Sequence, residues 1–507
     1  MDILLKKEEY GYLEKCFETG LEECVGAEFS LPEYMPEILR IVKSTADVKI
    51  NSCRLVGERV TVDGDCELRM IYTGDDGSIY SFSQTQSFTR YCENEKLADA
   101  LDVSSRAFVN YVNCRATSPK KAEIKAGIIV NVSSYKSVSE TIAALSNKSD
   151  IEEKCIPVCA SSLGCYRNKA FSMSDTVETE NVNASSVLCT SSYAVVTETK
   201  KIGNKILIKG DAVTEISFVT AKDKNSVEHI RHSMPINQIL EIEGMEEKYS
   251  GCVSLSVGAC DVIIKNDSSG DGRAFDIALL INAETVMWEK KEYCVIADAY
   301  SVKNCVELEK EKLVFFTDEE EITDTFTFSE KIDVSKIGAS SVLCMTAEKC
   351  ENTFSAEGDK FSATGTVKLS FILKNTAGET VTFEKMTDYT YKKNLPVQYR
   401  NGHCIGAVTL CTTDCTVLSS AELEIRGEMS ICAAVFNKTE LEAVCDIKDN
   451  GEKKNGGSAV TVYFPCENEE LWDIAKKYNT TVRAIAEENE LDTQTTDTKR
   501  ILFIPTV

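Results

Sequence analysis

A chain of 507 residues with 81 Asp+Glu against 56 Lys+Arg carries a formal charge of −25. That length predicts three or four domains at about 100–200 residues each, and the charge, which repels phosphate backbones and anionic lipid, argues against nucleic-acid and membrane-surface partners. The longest apolar runs, near 128–132 and 277–281, are strand-sized and fall short of the roughly 18 residues of a membrane span.

The opening stretch Met1–Tyr10 turns charged at once and has no apolar h-region, so it does not read as a secretory signal and a soluble, intracellular protein is expected. The 22 cysteines then read as reduced thiols that behave as small apolar residues. No Cys-x-x-Cys pair occurs, and with three histidines in the chain neither a structural metal site nor a metal cofactor is expected.

Residues 1–45 form a lead-in segment. Leu4, Leu5, Tyr12, Leu13, Phe17 and Leu21 approximate a helical period, and Pro32 and Pro36 then favour an extended path. Within 46–147 the pattern is β: Arg59–Asp63, Gly64 and an alternating Asp65–Tyr72 lead to a turn at Gly74–Gly77 and a return strand, Ser78–Phe82. Glu93–Val112 reads as a helix through Leu97, Ala100, Leu101 and Phe108, and Ala122–Val132 as a further strand. Ser137–Arg167, with a short helical stretch at Ile142, Ala143 and Leu145, reads as a linker.

The hairpin returns twice. In 168–306 it is Lys205–Lys209, Gly210, Asp211–Val219 and a turn at 221–225; in 323–447 it is Phe361–Thr364, Gly365, Thr366–Leu373 and a turn at Lys374–Gly378. Later runs follow at Ala274–Trp288 and Ala421–Val435, and acidic Glu307–Thr325 reads as a second linker. Gly64, Gly210 and Gly365 are each followed 50 residues later by a cysteine, namely Cys114, Cys260 and Cys415. The hexapeptide Ala184–Cys189 recurs unchanged as Ala339–Cys344, at the offset that relates Gly210 to Gly365. The chain is therefore three copies of one module. Each is expected to be a small antiparallel β sandwich or open barrel, with the recurrent glycine marking a bulge or a close backbone approach.

Polar, glycine-rich Lys448–Ser458 reads as a flexible linker. Residues 459–507 then read β-α-α-β: Val460–Phe464, a helix Glu469–Tyr478, a second helix Val482–Asn489 and Ile501–Pro505. The expected core is Leu471, Trp472, Ile474, Ile485, Leu491, Leu502 and Ile504.

Residues 471–482, with Ile485, Asn489, Leu491 and 502–505, resemble a LysM domain. The resemblance implies a groove beside the first helix that binds N-acetylglucosamine polymers such as peptidoglycan. This copy departs from the family where sugar is read: Glu467–Glu470 replaces the usual Gly-Asp-Thr, and the usual glycine is absent from Asp497–Arg500. The remaining chain, through Leu31-Pro32, Pro36-Glu-Ile38 and the Gly64–Tyr72 hairpin, resembles SPOCS domains. Tandem SPOCS modules followed by a LysM domain resemble the SipL-like spore coat assembly proteins. That resemblance implies a non-enzymatic mother-cell adaptor that brings a coat morphogenetic ATPase to the forespore surface through its LysM domain. A peptidoglycan-binding cell-wall protein is the alternative.

No catalytic constellation stands against this reading. His403 and Cys404 are adjacent on a strand and so face opposite ways, and Asp75-Asp76 is turn chemistry. The expected partner-binding surface is the start of the first LysM helix and the loop before it, where Glu467, Glu469, Glu470 and Asp473 make an acidic edge beside Trp472. Acidic residues also suit a helix N-terminus for its dipole alone.

Overall fold

The computed structural model describes residues 6–144, 150–179, 182–266, 272–453, 460–466, 469–491 and 501–506. Up to Lys453 the described chain is strand, apart from turns and a single 3₁₀ turn. In the first module β2 (Ile38–Val56), β3 (Arg59–Gly74) and β4 (Ile79–Glu93) make one antiparallel sheet in the order β2-β3-β4. The second sheet, in the order β1-β6-β5, contains β1 (Lys6–Ser30), β5 (Ala100–Ser118) and β6 (Lys121–Ala144). Val60, Val62, Cys66, Leu68, Met70 and Tyr72 of β3 alternate inward against Ile124, Ala126, Ile128, Val130 and Val132 of β6, which gives a two-layer sandwich.

The second module repeats both sheets with β7 (Ile151–Glu178), β8 (Ala184–Ile202), β9 (Lys205–Thr220), β10 (Val227–Glu241), β11 (Ser250–Asn266) and β12 (Gly272–Ser301), ordered β8-β9-β10 and β7-β12-β11. The third uses β13 (Asn304–Asp333), β14 (Ala339–Asn375), β15 (Thr380–Tyr399), β16 (Gly402–Ser419) and β17 (Glu422–Lys453). Its sheets are β13-β17-β16 and β14-β15. Gly57, Gly203 and Gly358, each seven residues before the recurrent glycine, have φ of +61°, +60° and +60°. In the first two modules this glycine turns one hairpin strand into the next; in the third it lies inside β14, which covers the sequence of both strands.

In the first two modules the recurrent glycine marks a bulge and a close approach. The register slips opposite Gly64, between Ile50 and Ser52, and opposite Gly210, between Val196 and Glu198. A Cβ at Gly64 would lie 2.5 Å from the Lys49 carbonyl oxygen, and one at Gly210 would lie 2.0 Å from that of Val195.

Several sequence readings need correction. The 1–45 segment is not helical: β1 pairs β6 from Lys6↔Ala144 to Ser30↔Lys121 and so belongs to the first sandwich. Leu13, Phe17, Leu21, Val25 and Phe29 recur every fourth residue, a spacing that fits a helix face and one face of a strand equally well. The helix expected over Glu93–Val112 is a 3₁₀ turn, Glu95–Leu97, followed by β5. Of the proposed linkers, Glu307–Thr325 lies wholly within β13, and Ser137–Arg167 runs into β6 and β7, with Leu145 outside the described residues. Lys448–Lys453 extends β17, and 454–459 lie outside the described residues.

These supposed linkers are strand because they carry the junction between modules. The long pairs β1–β6, β7–β12 and β13–β17 reach beyond their own sandwiches and meet. Tyr10 and Ile142, Val158, Ala160, Tyr293 and Val295, and Leu313, Phe315 and Ala443 form one apolar cluster drawn from all three modules. At its centre the fully buried Tyr10 hydroxyl donates to the Ser161 carbonyl (3.3 Å) and accepts from the Phe316 N–H (2.9 Å). Its ring lies 5.3 Å from that of Tyr293 and 5.0 Å from that of Phe315. Burial pushes the phenol well above its ordinary range, so the donor proton is kept.

The hairpin sheets meet at a second cluster that contains Ile71, Ile79, Leu188, Val219, Leu343, Cys344 and Ile372. Here the expectation of reduced thiols fails for one pair, because Cys189 and Cys344 form a disulfide between β8 and β14 with Cα atoms 6.8 Å apart. The repeated hexapeptide thus meets its own copy. Lys43 holds the corresponding place in the first module, at the offset that relates Gly64 to Gly210.

Two substitutions test this architecture. Tyr10→Phe keeps the packing but leaves a buried carbonyl and N–H without their bridge, at about 1–3 kcal/mol; a lower midpoint in chemical denaturation with unchanged secondary structure is expected. Gly210→Ala forces the β8–β9 bulge apart, at about 1–3 kcal/mol. The same denaturation curve reads it, and an unshifted midpoint in either case would disprove the corresponding assignment.

Candidate functional site

The C-terminal unit folds as its sequence reads: β18 (Val460–Tyr463) pairs antiparallel with β19 (Leu502–Pro505), and α1 (Leu471–Tyr478) and α2 (Val482–Glu488) lie between them in sequence. Asn479 ends α1 with φ +54°, a left-handed cap that Asn tolerates, and its N–H bonds the Ala475 carbonyl. Thr481 caps α2, its hydroxyl oxygen accepting from the Ala484 N–H at 3.0 Å. Asn489 joins α2 to β19: its amide donates to the Phe503 carbonyl at 2.6 Å, and its Oδ1 accepts from the Phe503 N–H at 2.7 Å. Leu471, Ile474, Ile485, Leu502 and Ile504 are buried as expected, while Trp472 and Leu491 are only partly covered.

A core this small gains by leaning on a neighbour, and it does so against the second module. Tyr300 and Val302, at and just beyond the end of β12, belong to the same apolar cluster as Leu471, Ile474 and Ile485. The Trp472 ring meets Tyr300 edge to face at 5.0 Å, and the Tyr300 hydroxyl donates to the Thr480 carbonyl at 2.7 Å. The register of β12 slips between Ile296 and Asp298, which re-aims Asp298 toward the tail. Its carboxylate accepts from Trp472 Nε1–H at 2.9 Å and from the Lys476 ammonium at 2.7 Å. Burial alone raises the carboxyl, yet the bonds from Lys476 and Trp472 outweigh it and hold Asp298 below the usual carboxylate range. Lys154 of β7 pairs with Glu470.

The five residues singled out from the sequence are therefore dispersed in role. Trp472 packs into the seat and Glu470 is drawn to Lys154. Glu469 accepts from the Cys466 N–H (3.0 Å) and the Tyr463 hydroxyl (2.8 Å), which pins the loop before α1 and holds its carboxyl below the ordinary range. Asp473 faces solvent, and Glu467 lies outside the described residues. Sequence reasoning missed Lys154, Asp298 and Tyr300, because nothing in a strand's alternation marks a residue at its end as a seat. Away from the helices, Val460, Val462, Phe464, Ile501 and Phe503 are 47–69% exposed, an apolar outer face on the small sheet.

The residues weighed from the sequence for catalysis or metal binding take structural places. The His403 ring packs 4.9 Å from that of Phe316 while Cys404 turns to the core of the third module, so the two do not meet. Asp76 accepts from the Ser78 N–H and the Tyr80 hydroxyl, as a turn residue does. Among the described residues no cluster of His, Cys, Asp and Glu is arranged to hold a metal, and no helix is long and apolar enough to cross a membrane.

The SipL SPOCS domain family matches residues 37–117 and 183–265, which run from the start of β2 through β5 and from β8 almost to the end of β11. Each match thus takes in the hairpin sheet and one strand of the other sheet, and leaves out the long pair that builds the junction. The LysM domain family matches residues 467–505. Neither a curated protein nor a solved structure matches the chain. Both families are non-catalytic binding modules, which fits a sporulation-related scaffold or a cell-wall-binding protein. With SPOCS domains in its repeats and a LysM domain at its C-terminal end, the chain has the make-up of a SipL-like protein.

Proposed function

We propose that this protein is a non-enzymatic adaptor for spore coat assembly in the mother cell, and that its LysM unit recruits a coat morphogenetic ATPase to the forespore surface. The observation that carries this reading is the pairing of SPOCS modules with a LysM domain whose sugar-reading loop is replaced by Glu467–Glu470. A neutral sugar gains nothing from that carboxylate edge, whereas a basic protein patch does. The three modules supply a rigid platform, and the tail presents its acidic edge from a fixed seat on the second module. Within the proposed surface of Glu467, Glu469, Glu470, Trp472 and Asp473, the exposed Asp473 and Glu470 meet the partner, Glu469 shapes the loop, and Trp472 fixes the helix.

The seat and the partner surface can be separated. Asp473→Lys should weaken co-purification of the ATPase from sporulating cells about ten-fold or more. Lys154→Glu, which breaks the seat's ion pair with Glu470 and leaves Asp473 in place, should weaken it far less than Asp473→Lys does. Recruitment that survives deletion of 459–507 would move the binding site to the SPOCS modules. Saturable binding of the full chain to insoluble peptidoglycan, lost with that deletion, would favour the cell-wall reading instead.

The seat itself is pH-dependent. Because the folded Asp298 carboxyl lies below its free value of about 3.9, its contribution is fully present above that pH and is lost as the pH falls through the lower folded value. Asp298→Asn removes the charge from two bonds, each worth about 1.5–3 kcal/mol. Faster backbone hydrogen exchange in α1 at neutral pH is expected, with exchange in β3 and β9 unchanged. Equal α1 exchange in the variant and the parent would rule out the seat.

A further inference from the structure

The three modules enclose a cavity of about 780 Å³ whose wall includes Ser105 and Asn131 from the first, Cys252 and Asn282 from the second, and His403 and Cys432 from the third. Asn131, Asn282 and Cys432 each stand between two core residues at mid-strand in β6, β12 and β17, so one inward-facing position of every module lines the space. Lys15 and Glu18 also line it, with side chains 42% and 61% exposed, so the cavity communicates with solvent.

On this wall Cys252 in β11 and Cys432 in β17 are neighbours across the junction between the second and third modules, packed in one apolar cluster with Trp288, Phe316 and Phe436. Thr323 stands beside Cys432 as its cross-strand neighbour. We propose that Cys252 and Cys432 are a dithiol site at which a low-molecular-weight disulfide entering the central cavity is reduced, leaving a second covalent bridge between these modules.

The roles differ by environment. The neighbouring Cys252 thiol, with Val253 and Thr323 beside it, lowers the Cys432 thiol below its ordinary range against the effect of burial, which makes it the attacking sulfur. The Cys252 thiol is pushed up by the neighbouring Cys432 and by burial, with Glu321 and Glu319 adding to the effect, so it stays protonated until the second step. The Cys432 thiolate attacks one sulfur of the small disulfide, forming a mixed disulfide and releasing one small thiolate. Cys252 then gives up its proton to that thiolate and attacks Cys432 Sγ, which releases the second small thiol. Two protein thiols are oxidised, one disulfide is reduced to two thiols, and protons balance. The same pair of modules already carries the Cys189–Cys344 bridge, so their interface accommodates a cross-link.

The test uses the full chain and oxidised glutathione as the probe, with peptide mapping under non-reducing conditions after alkylation of free thiols. A Cys252–Cys432 cross-linked peptide is expected in the parent, and a glutathione adduct held at Cys432 in Cys252→Ser. In that variant Cys432 should be alkylated about ten-fold faster than Cys66 and Cys411, whose buried thiols are pushed up to about 12 and about 11. Retention of the Cys189–Cys344 bridge reports that the variant has folded. Absence of the 252–432 peptide in the parent at every glutathione ratio, or an adduct at Cys252 rather than Cys432, would overturn the proposal whether or not the variants fold.

Discussion

The Tyr10 hydroxyl holds together parts of the chain that lie 151 and 306 residues away. It gives its proton to a carbonyl of the second module and takes one from an N–H of the third, inside a cluster closed to water. Backbone groups in such a place need a partner, and the Ser161 carbonyl and the Phe316 N–H find theirs in the same hydroxyl. A phenol reaching in from the fifth residue of β1 solves this because it both donates and accepts. The three sandwiches are thus parts of one packed body, and that body is what lets the second module offer a fixed seat to the tail.

The seat changes what the tail can do. A LysM unit joined by a polar, glycine-rich stretch reads from sequence as an arm free to search for a partner. Against β12 and β7 it has instead a charge-assisted anchor at Asp298, an aromatic contact at Tyr300 and an ion pair at Lys154. A partner that needs the whole indole of Trp472 must compete with that seat, whereas one that reads the outward edge at Asp473 finds it already oriented. Pre-orientation removes part of the entropic cost of binding.

Much of this was legible. Repeats at a fixed offset gave the module count, alternation and turn residues gave the hairpins, and glycine in mid-strand gave the bulges at Gly64 and Gly210. The LysM elements followed from helix periodicity, capping residues and family likeness. What failed did so for identifiable reasons. A four-residue spacing along β1 satisfies both a helix and a strand, and acidic composition made Glu307–Thr325 look like a linker when Leu313 and Phe315 were closing the module junction and Ile322 was filling the core of the third module. The seat at Asp298 and Tyr300 was invisible because a sequence lists what each strand buries but not which other strand it buries against.

The repeat itself carries the deepest of these lessons. When copies of one module pack around a shared centre, equivalent positions approach each other, so a residue kept in two copies can be kept as its own partner. Cys189 and Cys344 are such a case: the identical hexapeptides that betray the repeat are also the two halves of one bond. The first module breaks the pattern with Lys43, whose ammonium is disfavoured by burial, an effect that Glu384 of the third module only partly offsets. A covalent link thus joins the second and third modules, while the first is held by packing, by Tyr10, and by Arg69 donating to the Val187 and Leu188 carbonyls of the second. Any opening of this body must therefore begin at the first module, because only there do all the contacts across the boundary dissociate without breaking a bond between atoms.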